Sequence, residues 1–213
     1  MYFDLSALSG RDTYKLMTST IVPRPIAWVV SQDEQGRNNA APFSFFGAMS
    51  GDPPIVCLGV GSRADGPKDT GANLSAGAGF VINLVSSALM RHMNVTAIDF
   101  APGVDELQAA GLEIAPSQKV APPRIAQSPV SMECQVRQTL DVAAHRHIVV
   151  AEILAIHIRD DAVLDAQRCY IDTPRLDLVG RMHGGGWYSI QDNLVELPRL
   201  TEAAWRDSDP QRS

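Results

Sequence analysis

The chain is poor in three things that would have narrowed its function at once: cysteine, positive charge and long apolar runs. Its three cysteines, Cys57, Cys134 and Cys169, are an odd number set far apart, which fits reduced core thiols better than a disulfide framework or a zinc site. Eighteen Lys and Arg against 24 Asp and Glu leave a formal net charge of −6. The basic footprint that a general nucleic-acid or acidic-membrane binder needs to displace counterions is therefore missing, and any anion site must be local. No apolar run approaches the ~18 residues of a membrane span, and Met1-Tyr2-Phe3-Asp4-Leu5 lacks the basic region and long apolar core of a signal peptide. The expected compartment is the cytoplasm, and neither nucleic acid nor membrane is an expected partner. There is also no Walker sequence, no Gly-x-Gly-x-x-Gly after a strand and no Gly-x-Ser-x-Gly elbow, so the P-loop, Rossmann and α/β-hydrolase signatures all fail.

What the chain does have is enough apolar residue for a core. At 213 residues and 45% hydrophobic content it reads as one domain, 1–213, with neither repeat nor linker. Arg11 to Met17 reads as a short helical turn capped by Asp12 or Thr13. Ile21 to Ser31, rich in β-branched and aromatic residues with its prolines near the start, reads as the first strand. The polar turn Asp33-Glu34-Gln35-Gly36 then sends Asn38 to Phe46 back antiparallel to it. Asp52-Pro53-Pro54 breaks the chain, and Ile55 to Val60 follows as the third strand. A short helix capped by Asp69 or Thr70 carries Leu74 and Ala78 on one face, and Phe80 to Val85 is a strand. Short helices are expected after Ser86-Ser87 and over Asp105 to Ala110, the latter closed by Gly111. Val130 to Val142 and His147 to Ile158 read as two long strands, Cys169 to Asp172 as an edge strand, and Glu196 to Trp205 as a short amphipathic helix.

Two stretches carry chemistry. Asn38-Asn39-Ala40-Ala41-Pro42-Phe43-Ser44-Phe45-Phe46 combines amides, small residues and three aromatics, which offers a planar heterocycle an apolar face and edge donors. On its own the segment also reads as an ordinary half-buried strand. The second stretch, Ser62 to Asn73, holds Ser62, Arg63, Lys68, Asp69 and Thr70. Its two cations and two hydroxyls meet a helix start whose free amides favour a phosphate. Asp69 would repel a phosphate and is assigned to orienting Lys68 or capping the helix. A solvated loop with a common helix cap is the other reading of this second stretch. Ring site plus phosphate site suggests a mononucleotide.

Pro23-Arg24-Pro25-Ile26-Ala27-Trp28-Val29-Val30-Ser31, the Asn39 to Phe46 run, Asp52-Pro53-Pro54 and Lys68-Asp69-Thr70 follow one another in an order that resembles the flavin reductase-like FMN-binding proteins, from about Tyr14 to about Tyr188. The resemblance implies a mainly β fold, a Greek-key antiparallel split β-barrel with a few short peripheral helices, that binds FMN non-covalently as a homodimer. It also implies that Asn39, Ser44, Phe45 and Phe46 line the isoalloxazine, joined by Ser31 across the hairpin, and that the phosphate lies at Ser62, Lys68, Asp69 and Thr70, to which the residue pattern adds Arg63.

The function this implies is an oxidoreductase that takes hydride from a transiently bound NADH or NADPH and passes electrons to free flavin, a monooxygenase or another acceptor. Flavin carries that chemistry, so no acid–base pair is required. Two alternatives stay open: an electron carrier of flavoredoxin type without nicotinamide activity, and a flavin-free binding module. His145 and His147 flank Arg146 at strand spacing and share a face. A metal there would need a carboxylate or third His nearby, which the sequence does not bring into view, so a strand histidine is the better reading. The resemblance places His147 near the flavin, and His183, before Gly184-Gly185-Gly186, is a second candidate for the nicotinamide side.

Overall fold

The computed structural model describes residues 1–61, 66–101, 103–144, 146–190, 193–199, 201, 202 and 205. Helix α1 spans Gly10–Thr20, longer than the turn expected, because its cap is Ser9. Ser9 Oγ accepts the amide of Asp12 at 3.1 Å and donates back to the Asp12 carboxylate at 2.7 Å, a reciprocal cap that starts the helix a turn earlier.

Strand β1 (Ala27–Gln32) pairs antiparallel with β2 (Asn38–Phe43), placing Ser31 opposite Asn39. It begins six residues later than Ile21, since Pro23 and Pro25 cannot donate to a ladder. The turn between the strands is built by Asp33, whose carboxylate accepts the amides of Gln35 and Arg37, each at 2.9 Å. The single strand expected over Asn38 to Phe46 is instead two. The chain breaks at Ser44-Phe45, and Phe46–Gly51 forms β3, paired with β4 (Pro54–Val60). Ile55 to Val60 therefore lies in the fourth strand.

Helix α2 (Asp69–Asn73) ends before Leu74, so Leu74 and Ala78 do not share a helical face. Next come β5 (Gly79–Asn83), α3 (Met90–Val95), α4 (Glu106–Ala109), the two-residue strands β6 (Ile114–Ala115) and β7 (Arg124–Ile125), and the long hairpin β8 (Val130–Ala143) and β9 (Arg146–Ile158). The remaining strands are the pairs β10 (Val163–Asp165) with β11 (Tyr170–Ile171) and β12 (Val179–Arg181) with β13 (Tyr188–Ile190). The expected tail helix lies largely outside the described residues.

The main sheet has the order β2-β1-β5-β8-β9-β4-β3, antiparallel throughout. Its terminal strands, β2 and β3, are joined by only two residues, which span at most about 7 Å. The sheet must therefore curl until its ends meet. The amide of Gly59 on β4 donates to the Phe45 carbonyl at 2.7 Å, which carries the β3–β4 pairing into the connection, and no ladder joins β2 to β3. Three register shifts along the β8–β9 hairpin bend the longest strands around the barrel.

Inside the barrel, Val29, Val56, Leu58, Phe80, Ile82 and Val149 are buried together. The outer face of β1 and β5 is covered as well: Trp28, Val30 and Val81 pack with Leu89, Met93 and Leu107. This second layer explains why β1 reads as a continuous apolar run with no alternation. Trp28 Nε1 donates to Thr96 Oγ1 at 2.9 Å, so the buried indole leaves no donor unsatisfied.

The β12–β13 pair sits against the segment before β1, where the amide of Arg24 donates to the Arg181 carbonyl at 2.9 Å and the amide of Arg181 donates back at 2.8 Å. A Cβ at Gly180 would stand 2.8 Å from both Pro23 Cβ and Ser189 Oγ. Gly180→Ala is therefore expected to cost roughly 1–3 kcal/mol, the usual range for overpacking. Urea unfolding should show a lower midpoint at an unchanged slope.

Candidate functional site

Strand β2 ends the sheet and pairs with β1 alone. Along it lie three adjoining depressions. A cleft of about 250 Å³ is bounded by Tyr14, Pro42, Phe43, Ser44, Arg181 and Tyr188. A smaller one of about 70 Å³ lies among Asn39, Ala41, Pro42, Lys68, Thr70 and Glu106, and shares Pro42 and Ala97 with the first. The third, about 410 Å³, continues past Asn39 and Glu106 to Gln32, Arg37 and Asn73. Together they form a groove from an aromatic end to a polar end.

The polar end is built by α2 and the β1–β2 hairpin. Asn39 Nδ2 donates to the buried Thr70 hydroxyl at 2.8 Å, and Asn73 Nδ2 donates to Ser31 Oγ at 3.1 Å. Ser31 is wholly buried, so it supports the groove from behind. Neither Asp69 nor Thr70 caps α2. The cap position belongs to Lys68, which has no acceptor to offer, and no side-chain cap is made. The amides of the first turn are thus left without intrahelical partners. Among the described residues Lys68 makes no ion pair, so it is not oriented by Asp69. Its ammonium lies 5.9 Å from the centre of the Phe43 ring. Thr70 accepts from Asn39 and keeps its own proton to give. Ser62 and Arg63 lie outside the described residues.

Glu106 was not legible in the sequence as part of this groove. It is 93% buried, 7% being exposed, and its Oε2 accepts the amide of Ala40 at 3.0 Å, which satisfies an N–H on the free edge of β2. Burial raises its pKa, the Ala40 amide opposes the rise, and the charges of Asp69 and Asp105 add to it. A carboxyl biased toward its neutral form is the kind an anion tolerates nearby. Glu106 is the first residue of α4, a helix capped by Asp105, whose side chain accepts from Leu107 and Gln108.

At the aromatic end the three phenylalanines separate. Phe43 is buried with the barrel core and also lines the cleft. Phe45 is 42% exposed, its ring 6.2 Å from that of Tyr14, and Phe46 packs on the core from β3. Phe45 and Phe46 line a different, apolar hollow of about 290 Å³ with Met17, Ile21, Pro23 and Pro25, and Ser44 borders both spaces. The break at Ser44-Phe45 causes this division. The aromatic side chains that line the cleft itself are Tyr14, Phe43 and Tyr188, with the Arg181 guanidinium 4.7 Å from the centre of the Tyr188 ring.

Arg24 lies behind Ser44. It is almost wholly buried and donates to the carbonyls of Thr18 (2.8 Å), Ile21 (2.7 Å) and Met182 (2.7 Å) and to Ser44 Oγ (3.3 Å). Burial lowers its pKa, Tyr14 opposes the shift and Arg181 adds to it.

Neither His147 nor His183 lines this groove. His147 does have a carboxylate beside it, contrary to the sequence reading: Asp141 Oδ1 lies 2.6 Å from Nδ1, because the β8–β9 register sets the two residues opposite each other. His183 is exposed, with Nδ1 2.9 Å from the Gly184 carbonyl and its ring 5.7 Å from that of Trp187. His145 lies outside the described residues, among which no group of three His, Cys, Asp or Glu could hold a metal.

The groove therefore offers, at one end, donors and a cation that makes no ion pair among the described residues, at the other, aromatic walls with a guanidinium and a serine, and a strand edge between. That donor set fits a flat heterocycle joined to a phosphate. A family model described as flavin reductase like domain matches residues 17–174. An uncharacterized protein of Deinococcus radiodurans is 46% identical over 211 residues, covering 97% of this chain and 92% of its own. The 2-nitrobenzoate 2-nitroreductase of Pseudomonas fluorescens superposes with a TM-score of 0.86 at 31% identity, covering 95% of this chain and 98% of that one. Nitrilotriacetate monooxygenase component B of Bacillus cereus also reaches 0.86, at 24% identity and over 92% of this chain and 98% of that one; at that identity the likeness is one of fold. The fold is that of the split-barrel flavin reductases.

Proposed function

Because the chain belongs to the flavin reductase-like family, we propose that it is an FMN-dependent oxidoreductase that takes hydride from NADH or NADPH and hands electrons to free flavin or to a partner such as a monooxygenase. The observation that carries this reading is the β2 groove, with Lys68 and Thr70 at one end and the Tyr14–Ser44–Arg181 cleft at the other. Lys68, the Thr70 hydroxyl and the open α2 amides would hold the phosphate, with Asn39 fixing Thr70 and Ser31 fixing Asn73 behind it. The backbone edge of β2 and Ser44 would meet the polar edge of the ring, with Phe43, Tyr14 and Tyr188 excluding water from its faces.

FMN, when bound, supplies the two-electron chemistry. The chain's task is to place the ring so that a nicotinamide can stack on it, which needs orientation and no acid–base pair. Phe45 and Phe46, in the hollow beyond Ser44, would form an apolar seat next to that ring. The reduced thiols of Cys57, Cys134 and Cys169 are compatible with the cytoplasm, where nicotinamide is at hand.

We also read the protein as a homodimer. Strand β3 has a partner on one side only and carries the exposed Met49, and Met17, Ile21 and Phe45, which share one hollow, are exposed apolar side chains as well. Edges of this kind are normally covered.

The test is anaerobic titration of the FMN-loaded protein with NADH and with NADPH, read by loss of the oxidised flavin band. Bleaching by one or both is the expected result. If dithionite bleaches the band and neither nicotinamide does, the protein is an electron carrier of flavoredoxin type. If no flavin binds, the reading fails in favour of a binding module. Light scattering on the same sample should give twice the 23.0 kDa chain mass, and a monomer mass with FMN bound would refute the dimer.

A further inference from the structure

We propose that Arg24 is a positioning residue that sets the reduction potential of the bound ring through Ser44, an inference that rests on the FMN reading above. Its side chain is 7% exposed, yet every group it donates to is neutral: the carbonyls of Thr18, Ile21 and Met182 and the hydroxyl of Ser44. Among the described residues no carboxylate pairs with it. Thr18 and Ile21 close α1, so two of its bonds go to the negative end of an 11-residue helix. Carbonyl dipoles satisfy the donors and leave the unit charge in place. A charge so held in a low-dielectric wall acts on its surroundings far more strongly than one in water.

The surroundings reinforce it. Arg181, near enough to Arg24 to repel it, borders the cleft that Ser44 lines, Arg24 stands behind Ser44 on the neighbouring hollow, and among the described residues no Asp or Glu borders that cleft. A chain of net charge −6 thus has one guanidinium bonded to Ser44 and a second on the same cleft, with no carboxylate among the described residues that line it. Ser44 Oγ accepts from Arg24 Nε, so its hydroxyl proton is turned away from Arg24, and among the described residues it meets no acceptor.

This arrangement discriminates between oxidised and reduced ligand. A hydride carries two electrons and one proton. The nicotinamide that gives it leaves as a cation, and the neutral ring that takes it gains one negative charge. Two nearby cations and a serine donor favour the charged product over the neutral starting state, which raises the midpoint potential and makes reduced FMN bind more tightly than oxidised FMN.

The experiment is a spectroelectrochemical titration of FMN on the wild type and on Arg24→Gln, Arg24→Lys and Arg181→Gln, with the affinity for oxidised FMN measured alongside. Arg24→Gln should lower the ratio of reduced to oxidised affinity roughly tenfold, a fall of about 30 mV for a two-electron couple. Arg24→Lys should restore most of the difference, and Arg181→Gln should move the potential the same way. A potential that does not move in Arg24→Gln, or falls equally in Arg24→Lys, overturns the proposal while leaving the FMN reading intact. Should Arg24→Gln fail to fold, because three carbonyls lose their donor, an unshifted potential in Arg181→Gln overturns it instead. A wild type that binds no FMN refutes both.

Discussion

Lys68→Ala is expected to weaken FMN binding by about 10- to 150-fold and to leave riboflavin binding nearly unchanged. The range follows from losing one hydrogen bond to a charged group, roughly 1.5–3 kcal/mol, with ~1.4 kcal/mol to each factor of ten. The structure sharpens this. Lys68 has no ion pair among the described residues, so no carboxylate competes with phosphate for it. Among the described residues the substitution strands no partner except the Phe43 ring, 5.9 Å away, and a half-buried cation–π contact near the limit of its range is worth about 0.5–1 kcal/mol. Apo stability should therefore fall by less than about 1 kcal/mol while FMN affinity falls by more. Isothermal titration of both proteins with FMN and riboflavin at one salt concentration separates the cases. Equal losses for the two flavins would mean that Lys68 shapes the ring site, and no loss for either would move the phosphate to another part of the groove.

The strands were legible in the sequence wherever one residue pattern decided them. Continuous apolar runs marked β4 and β5, and the Asp33–Gly36 turn fixed the first hairpin and its register. The break after Phe43 was not legible, since Ser44 and Phe45 are as acceptable in a strand as their neighbours. What decides it is that β2 and β3 sit at opposite ends of the sheet, a fact of closure that no local window contains. The same break puts Phe45 and Phe46 in the hollow beyond Ser44, apart from the cleft that Phe43 lines.

The ordered motifs picked out Lys68, Asp69 and Thr70, which line the groove together at a local helix start. They did not point to Glu106 and Tyr14, which reach the groove from elements with no motif of their own. His147 shows the converse error. Its carboxylate neighbour Asp141 lies six residues back in sequence and across a hairpin, and only the register of β8 and β9 brings the two together.

The largest loss of stability should come from Glu133→Ala, far from any of these motifs. Glu133 lies on β8 with no exposed surface. Its carboxylate accepts from the amide of Gln118 at 2.9 and 3.0 Å, from that of Lys119 at 2.5 Å and from His157 Nε2 at 2.5 Å. It thereby fastens the proline-rich crossing to the sheet, where Val120 comes so close to Gly79 that a Cβ there would stand 2.9 Å from Val120 Cβ. Burial by itself would raise the Glu133 pKa, but the Gln118 amide, His157 and the Lys119 amide together bring it below the ordinary carboxylate value. Alanine removes the acceptor and leaves two amides and an imidazole without it, so the loss should be about 3–5 kcal/mol, as for other buried pairs broken on one side. Glutamine keeps the volume and one acceptor oxygen and should lose less, about 1–3 kcal/mol. Since the folded pKa is the depressed one, the charged carboxylate stabilises the fold above the unfolded value, near 4.5, and that contribution disappears as pH falls through the folded value. Urea unfolding of wild type and Glu133→Gln at pH 7 and at progressively more acid pH should show the two midpoints converging below about pH 4.5. A gap that stayed constant with pH would mean that the hydrogen-bond geometry of Glu133, and none of its charge, holds the crossing in place.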